Sequence, residues 1–292
     1  MKKVHLVLGS GGARGMAHIG VIENLLQDGY EIVEVIGCSM GAVVGAMYCA
    51  GYLNEYKNWL LGLTKTSVFS LFDLTFTMQG FVKGERIFNK LQELTGDRNI
   101  EDLLIPFTAV ATDMVHKQEK YFTTGNLYKA LRASIAIPGV FTPVVHESSV
   151  LVDGGVLNPL PVNLVHKIDN AILVAVNLNG PAMVEVGKQD LRETDSNNYW
   201  DWLSKFSINS RKDMAEDQKI NIPRLSLFDL INTSFDFTQD RLTELMIHYH
   251  QPDLIIEIPR NSCSTFEFYR AKELIEAGKN AYNRAKLLNT KE

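Results

Sequence analysis

Short apolar runs alternate with amphipathic stretches through the first 178 residues. Residues 4–8, 31–36, 106–112, 150–152 and 171–177 are apolar or β-branched runs of strand length, the pattern of strands covered on both faces. Residues 16–28, 42–50, 52–65, 84–95 and 126–134 carry apolar or small side chains at helical spacing. A more polar strand is predicted at 118–122, an irregular loop set by prolines at 137–143, and a short helix at 161–167. With no internal repeat, this alternation predicts a three-layer α/β/α fold around a mostly parallel central sheet.

The pattern changes near residue 180. Residues 184–250 are polar and helix-leaning, with Trp200, Trp202 and an apolar segment at 225–237. A strand at 253–258 and an amphipathic helix at 267–288 follow. The expected organisation is an α/β core over 1–180, an appended helical insertion or cap over 181–250, and a last strand and helix at 251–292 that complete the core. Residues 68–81 are dense in aromatics and almost uncharged. They are read as core packing, with an acyl-chain groove or bilayer contact as the alternative.

At residues 34–46 an apolar run breaks at a serine framed by glycines, Gly37-Cys38-Ser39-Met40-Gly41, and resumes as small residues. Strand, sharp turn and helix are predicted. A Gly-x-Ser-x-Gly turn forces its serine into a strained backbone and works only where the flanking residues lack colliding side chains. Ser39 is therefore the candidate nucleophile, with Gly37 and Gly41 forming its elbow. Helix N–H groups after it favour negative charge at the same spot. Residues 35–54 carry no charge and reach the length of a membrane span, but the glycines at 37, 41, 45 and 51 and a polar turn in the middle argue for a buried strand and helix.

Composition narrows the functional classes. Of 292 residues, 46% are hydrophobic and 22% charged, as in an ordinary globular protein with an ample core. A net charge of -5 with scattered lysines and arginines offers no general attraction for nucleic acid. Cys38, Cys49 and Cys263 form neither a metal motif nor a disulfide framework, as expected in a reducing compartment. No carboxylate, His or Cys cluster has metal-site spacing, so neither metal nor cofactor is expected. The N-terminal apolar run ends at Gly9, too short for an export signal. A cytoplasmic protein is expected.

Two further glycine-rich segments carry candidate chemistry. Gly9-Ser10-Gly11-Gly12-Ala13-Arg14-Gly15 lies between a strand and a helix. A dinucleotide fingerprint needs glycine where Arg14 stands, and a phosphate-binding Walker loop needs a terminal Gly-Lys-Ser/Thr. What remains is a nest of backbone N–H groups at a helix start, the device an oxyanion hole needs. Arg14 beside it is read either as a structural pin or as a substrate contact. Asp153-Gly154-Gly155 reads as a hairpin turn, or as an aspartate at a strand end whose glycines admit another backbone closely.

Taken in order, Gly11-Gly12-Ala13-Arg14-Gly15, Gly37-Cys38-Ser39-Met40-Gly41 and Asp153-Gly154-Gly155 resemble the patatin-like phospholipases. The likeness extends through Ala111-Thr112-Asp113, Arg132-Ala133-Ser134 and Pro138-Gly139-Val140-Phe141. It covers about residues 4–178 and returns near 253–288. One departure is Ser10, where the family often has glycine. The resemblance implies a patatin-like lipid acyl hydrolase using a Ser-Asp dyad. In that scheme Ser39 attacks the ester, Asp153 takes its proton, and N–H groups of Gly11, Gly12 and Ala13 hold the oxyanion, with Gly154 and Gly155 supporting the aspartate.

The partners implied are a lipid ester and a peripheral membrane surface, met through residues 68–81 or 225–237. Alternatives on the same residues are acyl transfer to an acceptor other than water and a silent lipid-binding protein. A Ser-His-Asp triad would need a histidine after Asp153, such as His166, His248 or His250. None follows a predicted strand in a suitable loop.

Overall fold

A computed structural model describes residues 2–71, 74–77, 80–166, 170–182 and 227–289, with the backbone alone for 74–77, 80, 81, 227–229 and 232. Two compact units divide the chain, Met1–Ala182 with Phe235–Glu292, and Met183–Ser234. Most of the second unit, including Trp200 and Trp202, lies outside the described residues. Its described part is the opening two turns of one helix.

Strand β1 (Lys2–Leu8) leads through a 3-10 turn (Gly12–Met16) into α1 (Ala17–Gln27). Strand β2 (Tyr30–Cys38) passes at Ser39 into α2 (Met40–Cys49). Next come α3 (Leu53–Leu61), α4 (Lys65–Leu71), the hairpin β3 (Leu74–Thr77) and β4 (Gly80–Val82), and α5 (Glu85–Thr95). The helix predicted over 52–65 stops at Leu61, after which the Gly62 N–H turns to the Trp59 carbonyl, and the aromatic-rich stretch holds the end of α4 and the strands β3 and β4. The chain continues with β5 (Phe107–Asp113), β6 (Gln118–Phe122) and α6 (Leu127–Ser134), whose first turn is capped by the Asn126 side chain accepting from Lys129 N. Strands β7 (Val144–His146), β8 (Ser149–Asp153) and β9 (Ala171–Gly180) follow. The residues predicted as a short helix at 161–167 form only a 3-10 turn, Val162–Leu164. Helix α7 (Leu227–His250), β10 (Leu254–Pro259) and α8 (Ala271–Asn289) end the chain.

The sheet runs β10-β9-β1-β2-β5-β8-β7, with β6 also paired to β5. From β10 to β5 every pairing is parallel, while β8, β7 and β6 join antiparallel. Strand β1 lies inside the sheet, and its Val4, Leu6, Val7 and Leu8 are fully buried. Helices flank this mixed, mostly parallel sheet, as the alternating apolar pattern predicts; α1 packs along α8, and α2 against β2 and β5.

One detail of register positions the site. Residues Phe107–Val110 of β5 pair with β2, and residues Ala111–Asp113 of β5 pair with β8. Since β6 covers Ala109–Asp113 along the other edge, β2 and β8 share a single edge of β5 end to end. Cys38 stands opposite Val110 and Asp153 opposite Ala111. The last residue of β2 and the last of β8 thus meet at consecutive rungs.

Candidate active site

Ser39 follows Cys38 directly and leaves the sheet with φ 55 and ψ -124. For a non-glycine residue this backbone costs about 1–3 kcal/mol and persists only where its surroundings hold it. Here they do. The Ser39 N–H donates to Ser134 Oγ at 3.0 Å, and that hydroxyl donates to the Val110 carbonyl at 2.6 Å. The Ser39 carbonyl accepts from the N–H groups of Ala42 and Val43. A Cβ on Gly41 would lie 2.1 Å from the Leu8 carbonyl oxygen, so only glycine lets α2 start this close to β1. Ser134 belongs to a motif in the sequence resemblance, but its task of holding the elbow is visible only once α6 lies beside β5.

Ser39 Oγ donates to Asp153 Oδ2 at 2.5 Å, across 114 residues of chain. Asp153 ends β8, and its Oδ1 accepts the Gly155 N–H at 2.7 Å. The hairpin reading of Asp153-Gly154-Gly155 is corrected here. The segment opens a 3-10 turn, Gly154–Val156, and the hairpin lies one strand earlier, between β7 and β8, where Glu147 takes φ 53. Burial of Asp153 pushes its carboxyl up to about 7, against the downward pull of the Ser39 and Gly155 hydrogen bonds. A carboxylate with that affinity for protons is a usable base near neutral pH.

The glycine loop splits into two kinds of donor. Ala13 N–H is spent on the Thr265 carbonyl at 2.9 Å, which removes Ala13 from the predicted oxyanion set. Gly11 and Gly12 N–H have no protein acceptor among the described residues. Gly12 has φ 56 and lines the same cavity as Ser39. Ser10, where the family often has glycine, does not take a positive φ, and its N–H donates to the Pro159 carbonyl. Of the two readings of Arg14, its surroundings are those of a loop pin. It is 7% exposed, and its guanidinium donates to the carbonyls of Leu178, Arg260 and Cys263 and to Asn179 Oδ1.

Beside Ser39 lies an apolar cavity, partly open to solvent. Tyr56, Trp59 and Leu60 of α3, Val68 and Leu71 of α4, and Ile87, Phe88 and Leu91 of α5 form much of its wall. The aromatic-rich stretch therefore contributes to an apolar groove at Val68 and Leu71. Its side chains over 72–81, including Phe76, lie outside the described residues.

His166, His248 and His250 are exposed, whereas Ser39 and Asp153 are buried. Asp113, in one of the resemblance motifs, accepts from Ser149 Oγ at 2.5 Å, His116 Nδ1 at 2.7 Å and the N–H groups of Val115 and His116. That trio is a turn cap: Ser149 reaches the aspartate directly, with no histidine relaying between them. His18, fully buried, is pushed down to about 4 by burial and stays neutral, donating from Nε2 to the Gly9 carbonyl at 2.9 Å. Among the described residues no group of three or more His, Cys, Asp or Glu could hold a metal ion, and no helix is long and apolar enough to cross a membrane.

Fold and site define an α/β protein with a serine at a strained strand-to-helix turn, a buried carboxylate hydrogen-bonded to it and an apolar cavity at its side. The chain belongs to the patatin-like phospholipase family, whose model matches residues 6–166. An uncharacterized NTE family protein of Mycobacterium tuberculosis is 33% identical, with 95% of this chain and 89% of that protein aligned. Neuropathy target esterase sws of Drosophila melanogaster is 31% identical over 76% of this chain and 15% of its own length. Among solved structures, VipD from Legionella pneumophila aligns with a TM-score of 0.43 at 13% identity, covering 97% of this chain and 67% of that one. Membership makes the protein a lipid ester hydrolase.

Proposed function

We propose that the protein hydrolyses acyl esters of lipids, in the manner of a phospholipase A, through a Ser39-Asp153 dyad and an acyl-enzyme. The observation that carries this reading is the 2.5 Å hydrogen bond from Ser39 Oγ to Asp153 Oδ2 beside an apolar cavity. Ser39 Oγ attacks the ester carbonyl carbon as its proton passes to Asp153. The oxyanion is held by Gly11 and Gly12 N–H, a contribution of about 3 kcal/mol per donor in comparable sites. Collapse breaks the acyl–oxygen bond, and the departing alkoxide takes the proton from Asp153. Water then attacks the acyl-serine, giving one proton to Asp153, which returns it to Ser39 as the fatty acid leaves.

The acyl chain occupies the cavity walled by α3, α4 and α5. Ile87→Trp, at a half-buried wall position, fills part of it. Excluding two methylenes forfeits about 1.6 kcal/mol, so kcat/KM for 4-nitrophenyl palmitate is expected to fall roughly tenfold relative to the butyrate. An unchanged ratio sends the chain elsewhere.

Chemistry carried by the dyad needs neither histidine nor metal. His166→Ala, His248→Ala and His250→Ala, combined in one protein, are expected to leave butyrate hydrolysis within about twofold of the parent, as is chelator. A large loss in either experiment replaces the dyad with a triad or a metal site. Peripheral lipid contact is proposed through the exposed Phe237 and its half-buried neighbour Phe235, and weaker co-sedimentation of Phe235→Asp with liposomes tests it.

A further inference from the structure

Helix α7 has a face that follows helical spacing through Asp236, Gln239, Asp240, Thr243, Met246 and Ile247. Arg260, which follows β10, pairs with Asp236 at 3.1 Å and also with Asp240. Met246 and Ile247 pack on the apolar cluster that contains Val7, Ile36 and Leu160. Between these anchors Gln239, 5% exposed, donates from Nε2 to the Gly155 carbonyl at 3.1 Å.

Gly155 is the residue whose N–H holds Asp153 Oδ1. Gly155 is therefore held on both sides, its carbonyl by Gln239 of α7 and its N–H by Asp153, which in turn accepts from Ser39 Oγ. The space a Gly155 side chain would need is already taken. A Cβ there would lie 2.3 Å from Gln239 Nε2 and 3.0 Å from both Asp153 Oδ1 and Ser10 Oγ.

We infer that Gln239 is a positioning residue for the reaction, holding Gly155 so that Asp153 stays aligned with Ser39; this rests on the dyad reading above. A carboxamide suits the task because it donates a hydrogen bond without bringing a charge. Among the described residues the Ser39 hydroxyl and the Gly155 N–H donate to Asp153, and the Cys38 thiol beside Gly154 is held protonated by burial and by the charges of Asp153 and Glu119. A charge at position 239 would be felt directly by the carboxylate, across a short path of low dielectric.

The test compares full-length Gln239→Met, Gln239→Glu and Gln239→Lys with the parent, using 4-nitrophenyl butyrate and measuring released butyrate across pH. Gln239→Met keeps the volume and loses the donor. Its kcat is expected to fall about tenfold with KM held within roughly twofold, and its acid limb to move upward. Gln239→Glu moves the limb further up. Gln239→Lys restores a donor, recovers kcat and moves the limb down. Parent-like kcat and pH profile in all three overturn the inference, as does an equal loss in all three with the acid limb unmoved, which marks a packing role alone. If melting curves show these variants unfolded, Gln239→Asn, which keeps a neutral carboxamide but withdraws it from the Gly155 carbonyl, must show the same kcat loss and upward limb, and its failure to do so also overturns the inference. Ser39→Ala runs beside them. Should Ser39→Ala stay active, the dyad falls and this inference with it; an inactive Ser39→Ala next to parent-like Gln239 variants overturns the positioning role alone.

Discussion

Ser39→Ala is expected to lower ester hydrolysis by at least about 10⁴-fold, because removing the nucleophile leaves only binding and oxyanion stabilisation. The protein should still fold. Alanine keeps the Cβ and the backbone N–H that Ser134 Oγ accepts at 3.0 Å, so the elbow persists. A serine-directed fluorophosphonate should attach once to the parent and not to this variant. Ser39→Gly separates strain from chemistry: equally inactive, it relieves a φ of 55 that costs a side-chain-bearing residue about 1–3 kcal/mol, and should melt above Ser39→Ala. Residual turnover above about 1% in Ser39→Ala, or continued labelling, places the nucleophile elsewhere.

The serine and its aspartate are legible in the sequence for different reasons. Ser39 announces itself locally, since an apolar strand, two glycines and a small-residue helix leave few backbones open to it. Asp153 does not. Its local signal, Asp-Gly between apolar residues, is that of a hairpin. Its place beside Ser39 comes from β2 and β8 sharing one edge of β5, a register that no local pattern contains.

The same distinction runs through the rest of the chain. Strands buried on both faces read as apolar runs, whereas the three-residue β7 follows Pro143 and is too short to carry a period. Arg14 stays ambiguous in sequence because its acceptors come from residues 178, 179, 260 and 263. Ala13 sits inside the glycine loop yet gives its N–H to Thr265, some 250 residues away. Gln239 is one polar residue on a long helix until Gly155 is seen against it.

Asp153→Asn is expected to abolish hydrolysis and at the same time stabilise the protein above neutral pH. Asparagine accepts the Gly155 N–H as the carboxylate does and can donate to Ser39 Oγ, so the local hydrogen bonds survive while the base is lost. The stability change follows from linkage. Burial raises the folded carboxyl from 3.8 to about 7, so between those values the folded protein binds a proton that the unfolded chain has released. Wild-type stability therefore declines as pH rises through that window, and the deficit is complete above pH 7. The neutral asparagine has no such dependence. The gap between the two proteins should be near zero at pH 4 and of order 4 kcal/mol at pH 8 before relaxation, visible as several degrees in Tm. Wild-type kcat/KM should rise through an acid limb near pH 7, because the same ionisation that weakens the fold supplies the base. Equal melting temperatures at pH 4 and pH 8 in both proteins, or an acid limb near 4, would mean that Asp153 is solvated in the working enzyme and that the buried base has no part in setting its pH response.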